Sequence, residues 1–317
     1  LNASICGVDV ENYRNDHIVT DEIYTGRTII NTTRTTIDNL YKNKQINYAD
    51  SNLLENEFIT LKDETSNSSA LAIYKNNSLK LIEENKLNPF GITPKNAAQK
   101  FALYALLAPV EEIPFVILKG CAGTSKTFLS LAAGLDQTYD SKKNRSFDKV
   151  LISRNNVMSD SDFGYLPGDL EDKMTPLLAP FYDNLESLLR LKCKNEDNSQ
   201  IQMQIEDMFM SKVLDVCPLA YMRGRSICNS YLIVDETQNA TRSQIRDIIT
   251  RAGQGTKVVI CGDPEQIDAR NLDKWNNGLI FASEKMKGSP LCAQITFSDK
   301  ESVRSKLAKE AISRLIL

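Results

Sequence analysis

The sequence predicts an α/β fold built on a mainly parallel β-sheet. Apolar, strand-like runs alternate with helix-like segments through the part of the chain that follows Pro94. A glycine-containing loop joins the first of these strands to the next helix, and two acidic residues directly follow another apolar strand. Strands that are apolar throughout are typical of parallel sheets that helices cover on both faces.

The chain divides into three predicted regions. Residues 1–54 are rich in Asn, Thr, Asp and Tyr without a sustained helical period, so we expect a linker or the tail of an upstream domain. Residues 55–85 contain short apolar runs split by polar turns, which predict a small antiparallel β unit. A boundary rich in Pro and Gly follows, and the main domain is expected at 86–317. Because the chain begins with Leu1, we expect it to start inside a longer protein.

Within the main domain, short apolar runs alternate with longer stretches of helical pattern. Strands are predicted at 114–119, 149–153, 213–216, 231–234, 257–260 and 293–297. Helices are predicted at 127–138, 170–191, 201–211, 241–252 and 275–286, with a final helix beginning at 301. This order favours βαβ units, whose strands pair in parallel.

Composition excludes several classes of function. The net charge is −3, so a strongly basic nucleic-acid binder is excluded, and any such contact requires a local groove. One histidine, His17, and seven cysteines without a CxxC spacing exclude Ser–His–Asp catalysis and zinc ribbons. The odd number of cysteines favours reduced thiols, and hence a cytoplasmic protein. No apolar run approaches the length of about 18 residues that a transmembrane helix needs.

The strongest local signal is the loop between the strand at 114–119 and the helix at 127–138. A phosphate-binding loop needs glycines where the chain curls, a lysine for the β- and γ-phosphates, and a hydroxyl for Mg²⁺. The residues that match this pattern are Gly120, Cys121, Ala122, Gly123, Thr124, Ser125, Lys126 and Thr127. Ser125 stands where glycine is usual, and an ordinary glycine-rich turn is the alternative interpretation.

Two further strand ends carry polar groups. Asp235 and Glu236 follow the strand at 231–234, where Asp235 is placed to hold Mg²⁺ and Glu236 to activate water. The alternative is a solvated acidic pair. The loop from Gly262 to Gln266 follows the next strand, and the Gln266 amide can contact a γ-phosphate or the attacking water. Together, the three strand ends predict nucleotide hydrolysis.

These motifs resemble the PhoH family of P-loop ATPases, which is related to superfamily 1 helicases. The resemblance extends from about residue 88 to the C-terminus and implies a RecA-like core. The stretches that carry it, besides the loop after residue 119, are 91–99 (GITPKNAAQ), 164–170 (GYLPGDL), 221–225 (YMRGR), 234–239 (VDETQN) and 262–266 (GDPEQ). Thr237 stands where the family usually has alanine.

The resemblance also implies roles outside the phosphate-binding loop. Gln99 matches a helicase-type Q motif, whose amide reads the adenine edge and favours ATP. The 8–26 stretch is similar to the tail of the longer family type, in which a PIN nuclease domain precedes the ATPase. The resemblance places the acidic cluster of that domain upstream of Leu1, so we expect no nuclease activity from this chain.

Several arginines are candidates for nucleic-acid contact or for an arginine finger. Comparable helicase loops meet the backbone of a nucleic acid, and guanidinium groups suit phosphate while a tyrosine can stack on a base. The candidates for this contact are Arg154, Tyr165, Arg223 and Arg225. Structural ion pairing is the alternative. Arg304 and Arg251 are candidates for the finger.

The sequence therefore predicts an Mg²⁺-dependent ATPase that moves on, unwinds or remodels single-stranded RNA or DNA. The resemblance favours RNA and implies a homo-oligomer such as a hexameric ring. The lack of a long apolar run predicts no membrane contact. An ATP-dependent switch or assembly platform is the alternative, which indifference to nucleic acid would support. A small-molecule P-loop kinase is disfavoured, because a kinase does not need a water-activating glutamate.

Overall fold

The structure is a computed structural model of the chain. It describes residues 23–139, 145–155, 170–193, 196–222 and 224–303, together with residues 307, 310 and 314. Two β-sheets organise these residues, one of five strands near the N-terminus and one of six strands in the main domain.

The five-stranded sheet is mixed. Its elements are β1 (Arg27–Thr32), α1 (Arg34–Asn43), β2 (Gln45–Asn47), β3 (Phe58–Asp63), β4 (Ser69–Lys75) and β5 (Ser78–Leu81). The strand order is β1-β3-β4-β5-β2; β1 and β3 are parallel, and the other pairs are antiparallel. Helix α1 packs on one face through Ile37 and Leu40, both of which are buried.

The sheet differs from the expectation for residues 1–54. Residues 27–47 form two strands and a helix in place of an extended segment, and they share a sheet with the predicted β unit. The Thr33 side chain accepts a hydrogen bond from the Thr36 N–H and begins α1. Asn and Thr have modest helix propensity, and only two side chains of this helix reach the core, so the helical period is weak in the sequence.

The six-stranded sheet confirms the predicted α/β class. It consists of β6 (Phe115–Gly120), β7 (Lys149–Arg154), β8 (Leu214–Val216), β9 (Ser230–Asp235), β10 (Lys257–Gly262) and β11 (Cys292–Phe297). The strand order is β11-β6-β10-β9-β7-β8, and every neighbouring pair is parallel. The central strands β6, β9 and β10 are buried along their whole length, which explains the uninterrupted apolar run within each of them.

Helices cover both faces of this sheet. They are α2 (Ala97–Leu107), α3 (Lys126–Thr138), α4 (Leu170–Lys192), α5 (Asn198–Met210), α6 (Leu219–Met222), α7 (Arg242–Ile249) and α8 (Gly278–Lys285). On β6, Val116 and Leu118 join one apolar cluster, whereas Phe115 and Ile117 join another. A short 3₁₀ turn at Asp299–Glu301 follows β11, and the region of the predicted final helix lies largely outside the described residues. Among the described residues, no helix is both long and apolar enough to span a bilayer.

Candidate functional site

The carboxyl ends of β6, β10, β9 and β7 lie side by side, because these strands are consecutive in the sheet. A cleft of about 260 Å³ opens at this edge. It is lined by Ala122, Gly123, Ser125, Lys126, Thr127, Phe128, Arg154, Pro180, Asn184, Asp235, Glu236, Gly262, Asp263 and Gln266. The edge of an open parallel sheet is where such folds bind ligands, and three predicted motifs meet there.

The loop after β6 curls around the ammonium group of Lys126. The Lys126 Nζ donates hydrogen bonds to the carbonyl oxygens of Gly120 and Cys121, at 2.6 and 3.0 Å. The Thr124 hydroxyl also donates to the Cys121 carbonyl, at 2.8 Å. These bonds hold the lysine at the mouth of α3, where helix N–H groups favour an anion.

Three backbone positions of this loop, Gly120, Gly123 and Ser125, have positive φ. Gly120 has φ of 139°, and a Cβ there would lie 2.6 Å from the Phe297 carbonyl oxygen, so only glycine fits. Ser125 has φ of 68° and ψ of 21°, the left-handed conformation that glycine adopts without cost. Ser125 therefore reproduces the backbone of the usual glycine at the expense of local strain.

Asp235 and Thr127 provide oxygen ligands that suit a magnesium ion. The Thr127 hydroxyl hydrogen-bonds the buried Asp235 carboxylate. Burial and the neighbouring Glu236 raise the pKa of Asp235, while Arg154 opposes the shift. A hydroxyl and a carboxylate are hard donors of the kind Mg²⁺ prefers, so these residues fit the predicted ion.

Glu236 is held from two sides. Its backbone has φ of 53° and ψ of 40°, which turns the side chain into the cleft at the end of β9. Arg154, at the end of the neighbouring strand β7, donates to its Oε1 at 3.0 Å. Gln238 donates to its Oε2 at 2.6 Å. The structure thus places Arg154 in the cleft as the ion-pair partner of Glu236.

Gln238 connects the acidic pair with the loop after β10. This side chain is fully buried; its amide nitrogen donates to the Gln266 carbonyl at 2.9 Å, and its amide oxygen accepts from the Asp263 N–H at 3.1 Å. Asp263 in turn accepts from the Ala122 N–H at 3.2 Å, and burial raises the pKa of Asp263. Sequence reasoning assigned no role to either residue, although both lie within the quoted family stretches.

Three of the remaining predicted residues, Gln99, Arg225 and Arg251, lie outside the cleft. Gln99 is buried near the start of α2, where its Oε1 accepts from the Lys95 N–H at 2.8 Å. Arg225 is exposed in the loop before β9, and Arg251 follows α7; neither lines the cleft. Tyr165, Arg223, Arg304 and His17 lie outside the described residues.

The site combines a lysine-bearing glycine-rich loop after β6 with an acidic pair at the end of β9, two strands away in the same parallel sheet. This arrangement defines a P-loop NTPase. Comparison with family models gives a match to "PhoH-like protein" over residues 91–315. The chain belongs to the PhoH family, as its motifs predicted.

Relatives and solved structures show the extent of the likeness. The chain is 37% identical to Protein PhoH2 of Bacillus subtilis (strain 168), over 99% of this chain and 70% of that protein. It is 29% identical to Protein PhoH2 of Thermobispora bispora, over 97% of this chain and 66% of that protein. The crystal structure of Pif1 helicase from Candida albicans aligns with 65% of this chain and 40% of its own, at 15% identity and a TM-score of 0.31.

Proposed function

We propose that this P-loop NTPase hydrolyses ATP to ADP and phosphate with the help of Mg²⁺. One observation carries the proposal: the glycine-rich loop, the acidic pair and the loop at 262–266 line one cleft. Triphosphate hydrolysis requires a cation that binds the phosphates, oxygen ligands for a divalent ion and a carboxylate beside the attacking water.

Each residue takes a role that its position supports. Lys126 and the N–H groups at the start of α3 bind the β- and γ-phosphates. Thr127 and Asp235 would hold Mg²⁺, which when bound neutralises charge on the phosphate oxygens. Glu236 accepts a proton from the attacking water, and the Gln266 amide orients that water or the γ-phosphate.

The preference for ATP is assigned to Gln99. The start of α2 is fixed by Asn96, whose side chain accepts from the Gln99 N–H at 2.9 Å. The Gln99 side chain is buried at this helix start, and Asn96, which also carries an amide, caps the same turn. The Gln99 amide oxygen already accepts from the Lys95 N–H, so it is the amide nitrogen of Gln99 that can donate to an acceptor on the edge of a purine.

We assign the energy of hydrolysis to movement on, or remodelling of, single-stranded RNA or DNA. RNA is preferred on the family resemblance. A single core needs a second surface to complete the site and generate motion, so we propose a homo-oligomeric ring such as a hexamer. Arg304 or Arg251 then supplies the arginine finger. The competing function is an ATP-dependent switch or platform, which nucleic acid does not stimulate.

Phosphate release from ATP by purified protein tests the hydrolysis. Lys126→Ala removes the phosphate-binding cation, and we expect loss of nucleotide binding and turnover. Glu236→Gln keeps the shape of the side chain but removes the base. We expect this variant to bind ATP like the parent while turnover falls at least about 100-fold, the lower range of general base catalysis.

Matched substitutions at exposed positions serve as controls. Lys62→Ala and Glu206→Gln change the same residue types on β3 and α5, away from the cleft, and we expect parental rates from both. A Glu236→Gln variant that releases phosphate at the parental rate contradicts the role of Glu236. Undiminished turnover by Lys126→Ala shows that the loop does not bind the phosphates.

A further inference from the structure

The five-stranded sheet touches the main domain through an ion pair close to the nucleotide cleft. Arg27, the first residue of β1, donates from its Nη1 and Nη2 to Oε1 and Oε2 of Glu301, both at 2.7 Å. The two side chains are 22% and 18% exposed, so this bidentate pair is largely shielded from solvent. A shielded, bidentate guanidinium–carboxylate pair fixes geometry far better than an exposed monodentate one.

Glu301 also shapes the turn to which it belongs. The Ser298 N–H and hydroxyl both donate to Glu301 Oε2, at 2.8 Å each, and close the 3₁₀ turn at Asp299–Glu301. Burial acts to raise the pKa of Glu301, but the hydrogen bonds from Arg27 and Ser298 outweigh it and lower the pKa. The carboxylate is therefore ionised at neutral pH and holds both the turn and the small sheet.

This turn contacts the nucleotide-binding elements at three points. The Val303 N–H donates to the carbonyl oxygen of Gly123 in the phosphate-binding loop, at 3.1 Å. Asp299 hydrogen-bonds the thiol of Cys121 in the same loop. The Asn96 side chain, which caps the helix that carries Gln99, donates to the Glu301 carbonyl at 3.5 Å. The turn thus supports the loop and the start of α2 together.

The chain just before Arg27 is fixed on the main domain, which sets the position of the ion pair. The Thr296 N–H of β11 donates to the Thr25 carbonyl at 2.9 Å, and the buried Lys119 donates to the Tyr24 carbonyl at 2.6 Å. A Cβ on Gly26 would lie 1.8 Å from the Gln294 carbonyl oxygen, so the backbone approaches β11 as closely as glycine allows. Arg27 therefore reaches Glu301 from an anchored backbone.

We infer that the five-stranded sheet sets the affinity for nucleotide, with Arg27 and Glu301 as positioning residues that hold the 298–303 turn against the phosphate-binding loop. This inference rests on the proposed function. Without the ion pair, the turn and its contacts to Gly123 and Asn96 loosen. Nucleotide binding then has to order the turn, and the free energy spent on this ordering lowers the affinity. Lys126 and Glu236 contact neither partner, so the chemical step at saturating ATP changes little.

The test is Arg27→Gln and Glu301→Gln, each measured with a fluorescent ATP analogue and by steady-state hydrolysis. Loss of one charge-assisted interaction of about 1.4 kcal/mol corresponds to a tenfold change in affinity. We expect the Kd and KM to rise about tenfold while kcat stays within about twofold. The double variant should bind no more weakly than Glu301→Gln alone, because that variant already lacks the interaction with Arg27.

Lys75→Gln is the matched control. Lys75, on β4, pairs with Glu112 of the main domain at 3.2 Å, so it also joins the two parts of the chain. The pair lies away from the turn, and we expect parental affinity. Arg27→Lys keeps the charge but not the bidentate geometry, so it should give an intermediate Kd. This variant replaces Arg27→Gln in the test if Arg27→Gln fails to fold.

The outcomes separate this inference from the proposed function. Unchanged Kd in Arg27→Gln and Glu301→Gln overturns the inference while ATP hydrolysis by the parent still supports the function. An equal rise of Kd in Lys75→Gln also overturns it, because general loosening of the small sheet would then explain the effect. A parent protein that neither binds nor hydrolyses ATP removes the proposed function itself.

Discussion

Ser125 shows how a single residue adjusts the phosphate-binding loop. Its φ of 68° lies in the left-handed region, where a side chain costs about 1–2 kcal/mol relative to right-handed conformations. The position directly precedes Lys126, so the conformation is needed to aim the start of α3 at the cleft. The loop therefore has backbone strain that it would not have with glycine at position 125.

Ser125→Gly should stabilise the protein. We expect a gain of about 1 kcal/mol in the free energy of unfolding, because relief of the positive φ outweighs the added freedom of glycine in the unfolded chain. Thermal melting measures the change, and Ser125→Ala is the control, since alanine keeps the strain. An equal gain from Ser125→Ala would show that the hydroxyl, and not the backbone, is responsible.

At the scale of residues, the sequence predicted which groups form the cleft but not how they pair. Motif spacing identified Lys126 and the acidic pair because the chain order of strand, loop and helix determines where such residues lie. Arg154 was expected to contact nucleic acid, with structural ion pairing as the alternative, and the nucleic-acid contact remains a prediction. Its ion pair with Glu236, the kind of contact that the alternative describes, arises because β7 and β9 are neighbours in the sheet. The order of strands in a sheet is not encoded by local patterns, so the contacts of Gln238 could not be predicted either.

At the scale of elements, a buried lysine holds the end of α2. The Nζ of Lys257, on β10, donates to the carbonyl oxygens of Ala105, Leu106 and Ala108, at 3.0, 3.1 and 2.6 Å. A cation is favoured at a helix C-terminus, where carbonyl groups lack partners within the helix. Lys257 thus fixes the helix whose other end carries Gln99.

Lys257 should make stability depend on pH. Burial lowers the pKa of Lys257 to about 7, below the unfolded value of about 10.4, so the unfolded chain binds more protons between these pH values. The contribution of Lys257 to stability therefore rises as pH increases above 7. In urea unfolding, the stability of Lys257→Met relative to the parent should fall by about 2 kcal/mol between pH 7 and pH 9.

An exposed lysine provides the control for this effect. Lys62→Met, on β3, should differ from the parent by the same amount at both pH values. A difference between Lys257→Met and the parent that is constant from pH 7 to pH 9 would contradict the lowered pKa. The buried Lys119 is present in all three proteins, so its own titration cancels in the comparison.

Elements with a strong apolar period were predicted well, and those without one were not. Strands β6, β9 and β10 match because each is buried over its whole length and contains an uninterrupted apolar run. Helix α1 was missed because its core contact depends on Ile37 and Leu40 alone, among polar residues. The helix is buried by a sheet whose strands come from both before and after it in the chain. Such long-range packing cannot be inferred from local composition.

At the scale of the whole molecule, the net charge of −3 gives no general attraction for nucleic acid. A groove of about 250 Å³ beside β7 and β8 is lined by two cations, Lys149 and Arg225. Arg225 belongs to the 221–225 loop, which was predicted from the sequence to contact nucleic acid. Asp215 lines the same groove and limits its positive charge. The proposed binding of nucleic acid in this groove would therefore depend on a few phosphate contacts, each of which would contribute to the salt dependence of affinity.

Arg225→Gln should weaken single-stranded RNA binding and reduce its salt dependence, since each phosphate contact contributes about one unit to the slope of log K against log salt. Arg225 does not line the nucleotide cleft, so affinity for ATP and the rate without RNA should match the parent. Stimulation of phosphate release should require a higher RNA concentration.

Arg190→Gln, at an exposed position on α4 with its own partner Glu186, controls for loss of charge alone. If Arg225→Gln and Arg190→Gln give the same slope, the groove is not the path of the nucleic acid, and Arg225 is a surface charge.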